Sequence, residues 1–277
     1  MNQSNTVSKN VLRPVAETFL KSGKINRRNF LSTALLAVPA LLVGDGSLVE
    51  PQWLETRRVY GGQLGTRFVQ FSDVHHKGNH SYLLSVVDKI NSLNPDFVCF
   101  TGDLMEEKKF LPETLKILSG LKSPVFGVPG NHEYMSRVSF TTIFKCFAAT
   151  GGAWLMDQQV TVAGGKINLV GSAGLSPRHL PSPPLTGAKN ILLIHYPAWA
   201  KRLGNRKFDL VLAGHSHGGQ VRIPFFGAPF LPSMVDEYDW GLFQSPAGPL
   251  YVNAGIGYIG NYDFRLNCRP EITLFEI

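Results

Sequence analysis

Apolar residues along this chain follow two alternating spacings. Residues 67–72 (R-F-V-Q-F-S) read as a strand, and residues 80–93 carry apolar side chains at 83, 84, 86, 87 and 90, the spacing of one helix face. The alternation repeats: a buried strand at 97–101, a helix at 111–121, a strand at 124–128 and a helix at 140–149. This β-α-β-α-β-α order predicts an α/β layered fold. The second half is richer in strands. Residues 159–163, the turn Gly164-Gly165 and residues 166–171 predict a hairpin. Further strands are expected at 190–194, 209–213, 220–223, 250–253 and 272–276.

Composition narrows the class. Of 277 residues, 44% are hydrophobic and 17% charged, which is globular and excludes a disordered chain. Cys99, Cys146 and Cys268 are too few and too scattered for a disulfide framework or a cysteine-based zinc module. The net charge of +7 is unevenly placed. Residues 1–29 hold six basic residues against Glu17, leaving 21 basic and 19 acidic residues for the rest. A nearly neutral body argues against a nucleic-acid track, and no nucleic-acid partner is expected.

The basic stretch ends in Arg27-Arg28-Asn29-Phe30-Leu31 and runs into an apolar segment ending at Gly44. At 1.5 Å per residue that segment spans roughly 22 Å, short of a ~30 Å hydrocarbon core. Basic-then-apolar order is export-signal architecture, and R-R-x-F-L is similar to a twin-arginine signal. We expect residues 1–44 to be a leader or anchor, 45–62 a polar linker and 63–277 the catalytic domain. The expected partners are the twin-arginine translocase and a membrane surface met by the N-terminal segment. The expected location is the outer face of a membrane or the space beyond it, the cytoplasmic face being the alternative.

Candidate chemistry sits where the strands end. The first three strands run into Asp73-Val74-His75-His76, Gly102-Asp103-Leu104 and Gly130-Asn131-His132-Glu133. Later strands run into His195-Tyr196-Pro197 and Gly214-His215-Ser216-His217. Sites in open α/β sheets form at the carboxyl ends of strands, so these clusters should converge. Mixed carboxylate, amide and imidazole donors without cysteine suit Mn, Fe or Zn better than Mg or Ca.

The ordered set D-x-H, G-D, G-N-H-E, H and G-H-x-H resembles the calcineurin-like metallophosphoesterase family over residues 66–277. The stretches 214–224, 251–257 and 268–272 resemble its membrane-associated branch. That branch includes exported phosphoesterases and UDP-2,3-diacylglucosamine pyrophosphatases. The resemblance implies two mixed β-sheets flanked by helices, with a dinuclear metal site at the strand ends. One divalent ion would be held by Asp73, His75, Asp103 and His217. The other would be held by Asp103, Asn131, His195 and His215. A bridging hydroxide would attack phosphorus while His132 serves the leaving oxygen. The substrate would be a phosphoester or diphosphate, lipid-linked or from the envelope. A nuclease or cyclic-nucleotide phosphodiesterase, or a non-catalytic metal-bound scaffold, are the alternatives.

Glu133 and Asp96 are candidates either to orient ligands or to sit solvated. His76, His80 and His179 match no ligand position. Ala254 stands where the resemblance leads one to expect Arg, and 171–174 lacks expected acids, which Arg178 could compensate. Phe225, Phe226 and Phe230 form either an apolar lip near the site or core beneath a loop. Trp240, Phe243 and Tyr258 could extend either arrangement.

Overall fold

The central strands are apolar on both faces, and a strand of that kind must be covered on both sides. In the computed structural model, which describes residues 40–174, 185–260 and 263–277 together with Leu35 and Ala37, they lie in two stacked six-stranded sheets. The expected leader falls mostly outside the described residues, as do Arg178 and His179. No described helix is long and apolar enough to cross a membrane. Leu42–Ile277 form one compact unit.

The first sheet runs β1 (Glu55–Tyr60), β12 (Glu271–Glu276), β2 (Arg67–Phe71), β3 (Phe97–Phe100), β4 (Val125–Gly127) and β5 (Ala153–Trp154). The second runs β10 (Gly241–Ser245), β11 (Gly248–Val252), β9 (Leu210–Ala213), β8 (Lys189–Leu193), β7 (Ile167–Gly171) and β6 (Gln158–Val162). β2 to β5 are parallel, as are β7, β8, β9 and β11; β12 pairs antiparallel with β2. The expected hairpin forms as β6–β7.

Period-two alternation decides which side chain faces where. Phe68, Phe97 and Phe275 stack between the sheets at 4.7–5.0 Å, with Leu169, Ile191, Leu193 and Leu212 alongside. Val69, Phe71, Val98 and Phe100 point the other way. They meet the apolar faces of α1 (His80–Ser92), α2 (Leu111–Leu118) and α4 (Phe140–Ala149). A short helix, α3 (Asn131–Met135), follows β4.

Five segments depart from expectation. The polar stretch 45–62 is not a linker along its length. It holds β1, which pairs in parallel with β12. Arg57 ties it down, 3.3 Å from the buried carboxylate of Glu271 and stacked 3.9 Å from the centre of the Trp240 ring. An edge strand with one apolar neighbour shows no alternation to detect. Residues 220–223 make only isolated bridges, Val221 with Leu266 and Ile223 with Gly227, because the chain reverses there. α3, β5 and β10 were not anticipated.

Candidate metal centre

Two sheets can share a site only if their strand ends are held in register. Gln70, fully buried on β2, crosses between them, donating 2.9 Å to the Ala213 carbonyl at the end of β9 and 3.2 Å to Thr101. Beyond these ends the loops are laced together. The amides of Asp73 and Val74 donate to the carbonyls of Gly102 and Asp103 at 2.8 Å each. The His215 amide donates to both carboxylate oxygens of Asp73 at 3.0 Å. The His132 amide donates to Asp103 Oδ1 at 2.8 Å. Such close loops leave no room for side chains at Gly130 and Gly214. A Cβ there would lie 2.1 Å from Asp103 Oδ1 and 1.9 Å from Ser72 Oγ respectively.

Five candidate ligands, Asp73, His75, Asp103, His215 and His217, have φ between 40° and 69°. Non-glycine residues occupy that region at a cost, and such strain clusters at functional sites. Here it turns carboxylates and imidazoles inward.

The geometry brings the expected residues into two adjoining groups: Asp73, His75 and His217, and Asp103, His195 and His215. Asp103 stands between them, its Oδ2 3.3 Å from Nε2 of both His75 and His195. Asn131 Oδ1 reaches within 3.0 Å of His195 Nε2. His132 lies beside the first group, its ring edge-to-face with His75 at 4.4 Å.

Three of the four imidazoles are anchored from outside, while the buried Nδ1 of His217 has no hydrogen-bond partner among the described residues. His75 Nδ1 contacts the Glu106 carboxylate at 2.8 Å, His195 Nδ1 the Thr101 carbonyl at 2.8 Å, and His215 Nε2 the Ser233 carbonyl at 2.8 Å. These acceptors require the outer nitrogen to donate, so the inner nitrogen is the one that can lose its proton and offer a lone pair. The inner nitrogens face one another: His195 Nε2 is 3.1 Å from His215 Nδ1, and His75 Nε2 is 3.1 Å from His217 Nε2. Imidazole nitrogens and carboxylate oxygens converge there, a donor set completed when the inner nitrogens give up their protons. A cation is the group such a set fits.

The acids around the imidazoles favour the protonated form of two of them. Burial alone would lower His75 and His195, but Asp103, joined by Asp73 at both and by Glu106 at His75, outweighs it and both are raised to about 9. Burial would raise Asp103, but His195 and His75 hold it well below the usual carboxylate range. Burial and the neighbouring His195 push His215 down to about 3.

Glu133 does not sit solvated. Fully buried, it accepts from the amides of Asp103 (3.1 Å), Leu104 (2.6 Å) and Gly130 (2.6 Å), fixing two loops at once. Asp96 lies at the far end of the sheet, taking the Arg67 amide at 2.7 Å, and has no part in the centre. His76 and His80 both contact Glu113, at 3.1 and 2.8 Å. Glu106 was missed. Three residues after Asp103, it reaches His75 and lies 3.7 Å from His132 Nδ1. Arg265 was missed as well. Fully buried, it donates to the carbonyls of Ala254 (2.9 Å), Gly255 (3.2 Å), Gly257 (3.0 Å) and Cys268 (3.0 Å). This holds the turn that packs against Asp73.

Two mixed sheets flanked by helices, with carboxylates and imidazoles converging at the strand ends, are the frame of a metal-dependent phosphohydrolase. The calcineurin-like phosphoesterase profile matches residues 66–219, and the chain belongs to that family. It is similar to the uncharacterized metallophosphoesterase YkuE of Bacillus subtilis, 31% identical over 92% of this chain and 98% of the relative. Phosphodiesterase YaeI of Escherichia coli is 29% identical over 91% and 99%. UDP-2,3-diacylglucosamine pyrophosphatase LpxG of Chlamydia trachomatis is 28% identical over 88% and 95%.

Proposed function

We propose that this enzyme hydrolyses a phosphodiester or diphosphate bond in a lipid-linked envelope compound such as UDP-2,3-diacylglucosamine. The observation that carries the reading is the convergence of imidazole nitrogens and carboxylates around Asp103. Asp73, His75, Asp103 and His217 would hold one divalent ion, and Asp103, Asn131, His195 and His215 the other. When bound, such ions polarise a phosphoryl group and acidify water. Mn, Fe or Zn suits the donor set.

The protein's own part is positional. Glu106, Thr101 and Ser233 fix the orientation of three imidazoles, so the centre does not reorganise when substrate arrives. Glu133 and Arg265 hold the loops on either side. His132 is mostly buried but reaches solvent, with Nδ1 turned to the Glu106 carbonyl at 3.4 Å. Nε2 then faces the leaving oxygen and, with the ring protonated on both nitrogens, would pass its proton there and leave the ring neutral. The names of the phosphodiesterase and pyrophosphatase relatives support the reaction class, and the latter supports the lipid.

The test is a side-by-side assay of Mn-loaded protein on an aryl phosphomonoester, an aryl phosphodiester and UDP-2,3-diacylglucosamine. The lipid diphosphate should have the highest kcat/KM; preference for the monoester would overturn the reading. Export through the twin-arginine route is tested by Arg27→Lys with Arg28→Lys, which should trap the protein in the cytoplasm. Unchanged export would refute that route.

A further inference from the structure

The chain leaves the centre at Gly219 and six residues later reaches a turn tip made of aromatic side chains. Ile223 and Gly227 close the turn, the Ile223 amide donating to the Gly227 carbonyl at 2.8 Å and the reverse bond measuring 2.9 Å. At its tip Phe225 is 105% exposed and Phe226 86%, and Phe230 just beyond is 84% exposed. Ile223 and Leu231 extend the apolar surface. The core reading of these phenylalanines is therefore wrong: they touch almost nothing of their own fold.

The fold does not benefit from them, and the turn carries strain. Phe225 holds φ at 70°, where a bulky residue is rarely found. Residues 223–234 contain no charged side chain and three prolines, Pro224, Pro229 and Pro232, which stiffen the segment. Charge returns only at the base. A Cβ on Gly227 would lie 3.7 Å from the Arg222 guanidinium, which is 5.1 Å from the centre of the Trp240 ring, with Arg57 on that ring too. Phenylalanine at the tip, then tryptophan and arginine, matches the charge profile of a bilayer from hydrocarbon to phosphate headgroup. Arg222 is balanced by Asp239 at 2.7 Å and Arg57 by Glu271, so attachment does not depend on excess charge.

We propose that the turn at 223–227, with Phe230 and Leu231, is a membrane-docking lip that inserts into the interfacial layer of a lipid bilayer beside the reaction centre. The lip is continuous with that centre. The Ser233 carbonyl that anchors His215 lies two residues past Leu231, and Gly219 packs against Ala228 and the Phe230 carbonyl. A stiff, convex, uncharged tip suits insertion, whereas a protein interface carries a polar rim around its apolar anchors. The proposal deepens the lipid-linked reading by delivering the centre to the surface where such a substrate lies.

The test uses the full chain, because the basic and apolar N-terminal segment is itself expected to meet membranes and must be present in every arm. Phe226→Trp is mixed with phosphatidylcholine vesicles, with and without phosphatidylglycerol, containing acyl-brominated lipid. Additional tryptophan quenching relative to wild type is expected in both. In parallel, Phe225→Ser with Phe226→Ser and Phe230→Ser should lower vesicle partitioning by about tenfold or more. Its melting temperature and its turnover of a water-soluble aryl phosphodiester should match wild type. No extra quenching, wild-type partitioning by the triple variant, or a melting temperature several degrees lower would each overturn the lip. Failure of every protein, wild type included, to turn over the soluble diester would strike the proposed reaction and leave the lip standing.

Discussion

The metal-centre loops and the turn at 223–227 break opposite rules within a few residues of each other. In the loops, Asp73, Asp103, His195 and His217 are buried, where charge is costly. In the turn, Phe225 and Phe226 stand in water, where apolar surface is costly. Both hold non-glycine residues at positive φ. What differs is the support. Every centre loop is pinned by buried hydrogen bonds reaching across the chain, Glu133 alone taking three amides. The turn is closed mainly by its own backbone bonds. The centre is thus tied throughout to the fold, while the turn is tied to it only at its base and has a surface left over.

Changes in the centre should be large and changes in the turn nearly silent in solution, which makes the contrast breakable. Asp103→Ala removes the carboxylate between the two groups and the acceptor for His132. Bound metal by atomic absorption and turnover should both be lost; retention of either would break the assignment. His132→Ala should keep the metal but lower kcat by ~10²–10⁴-fold if it is the general acid. Full activity would end that role.

Glu106→Gln leaves shape intact but weakens the orientation of His75. Metal affinity should drop by roughly 10–100-fold, read by chelator competition. An unchanged affinity would make Glu106 incidental.

The pH dependence follows from His75 and His195, each raised to about 9. Below that pH both hold a proton in the metal-free protein, and a metal must displace it. Affinity should therefore climb with pH, by about tenfold per unit for each proton displaced, and flatten above about 9. Calorimetry in buffers of different ionisation enthalpy should detect proton release at pH 8. Release of none would contradict the raised values. The smallest effect is expected from the triple serine replacement of Phe225, Phe226 and Phe230, within about 0.5 kcal/mol of wild-type stability by denaturant titration. A larger loss would erase the difference between the two regions.

Much of the fold was legible because burial imposes pattern. β2, β3, β8 and β9 are apolar on both faces, and α1, α2 and α4 on one. β1 was not, because a polar edge strand held by Arg57 and by pairing with β12 has no periodicity of its own. The seven candidate ligands and His132 were legible because each sits just after a strand in an ordered motif. Glu106 and Arg265 were not. Glu106 acquires its role from His75, 31 residues away, and Arg265 from the carbonyls of a turn near position 255.

The sequence by itself determined the layering, the strand ends and the residue types available for chemistry, since these follow from local periodicity and composition. Only the tertiary structure decided which imidazole nitrogens face inward, that Glu133 is a brace, and that three phenylalanines lie outside the core. The physical reason is the same for each. A side chain's protonation, partner and exposure are set by groups that approach from distant parts of the chain, and no local pattern encodes that approach.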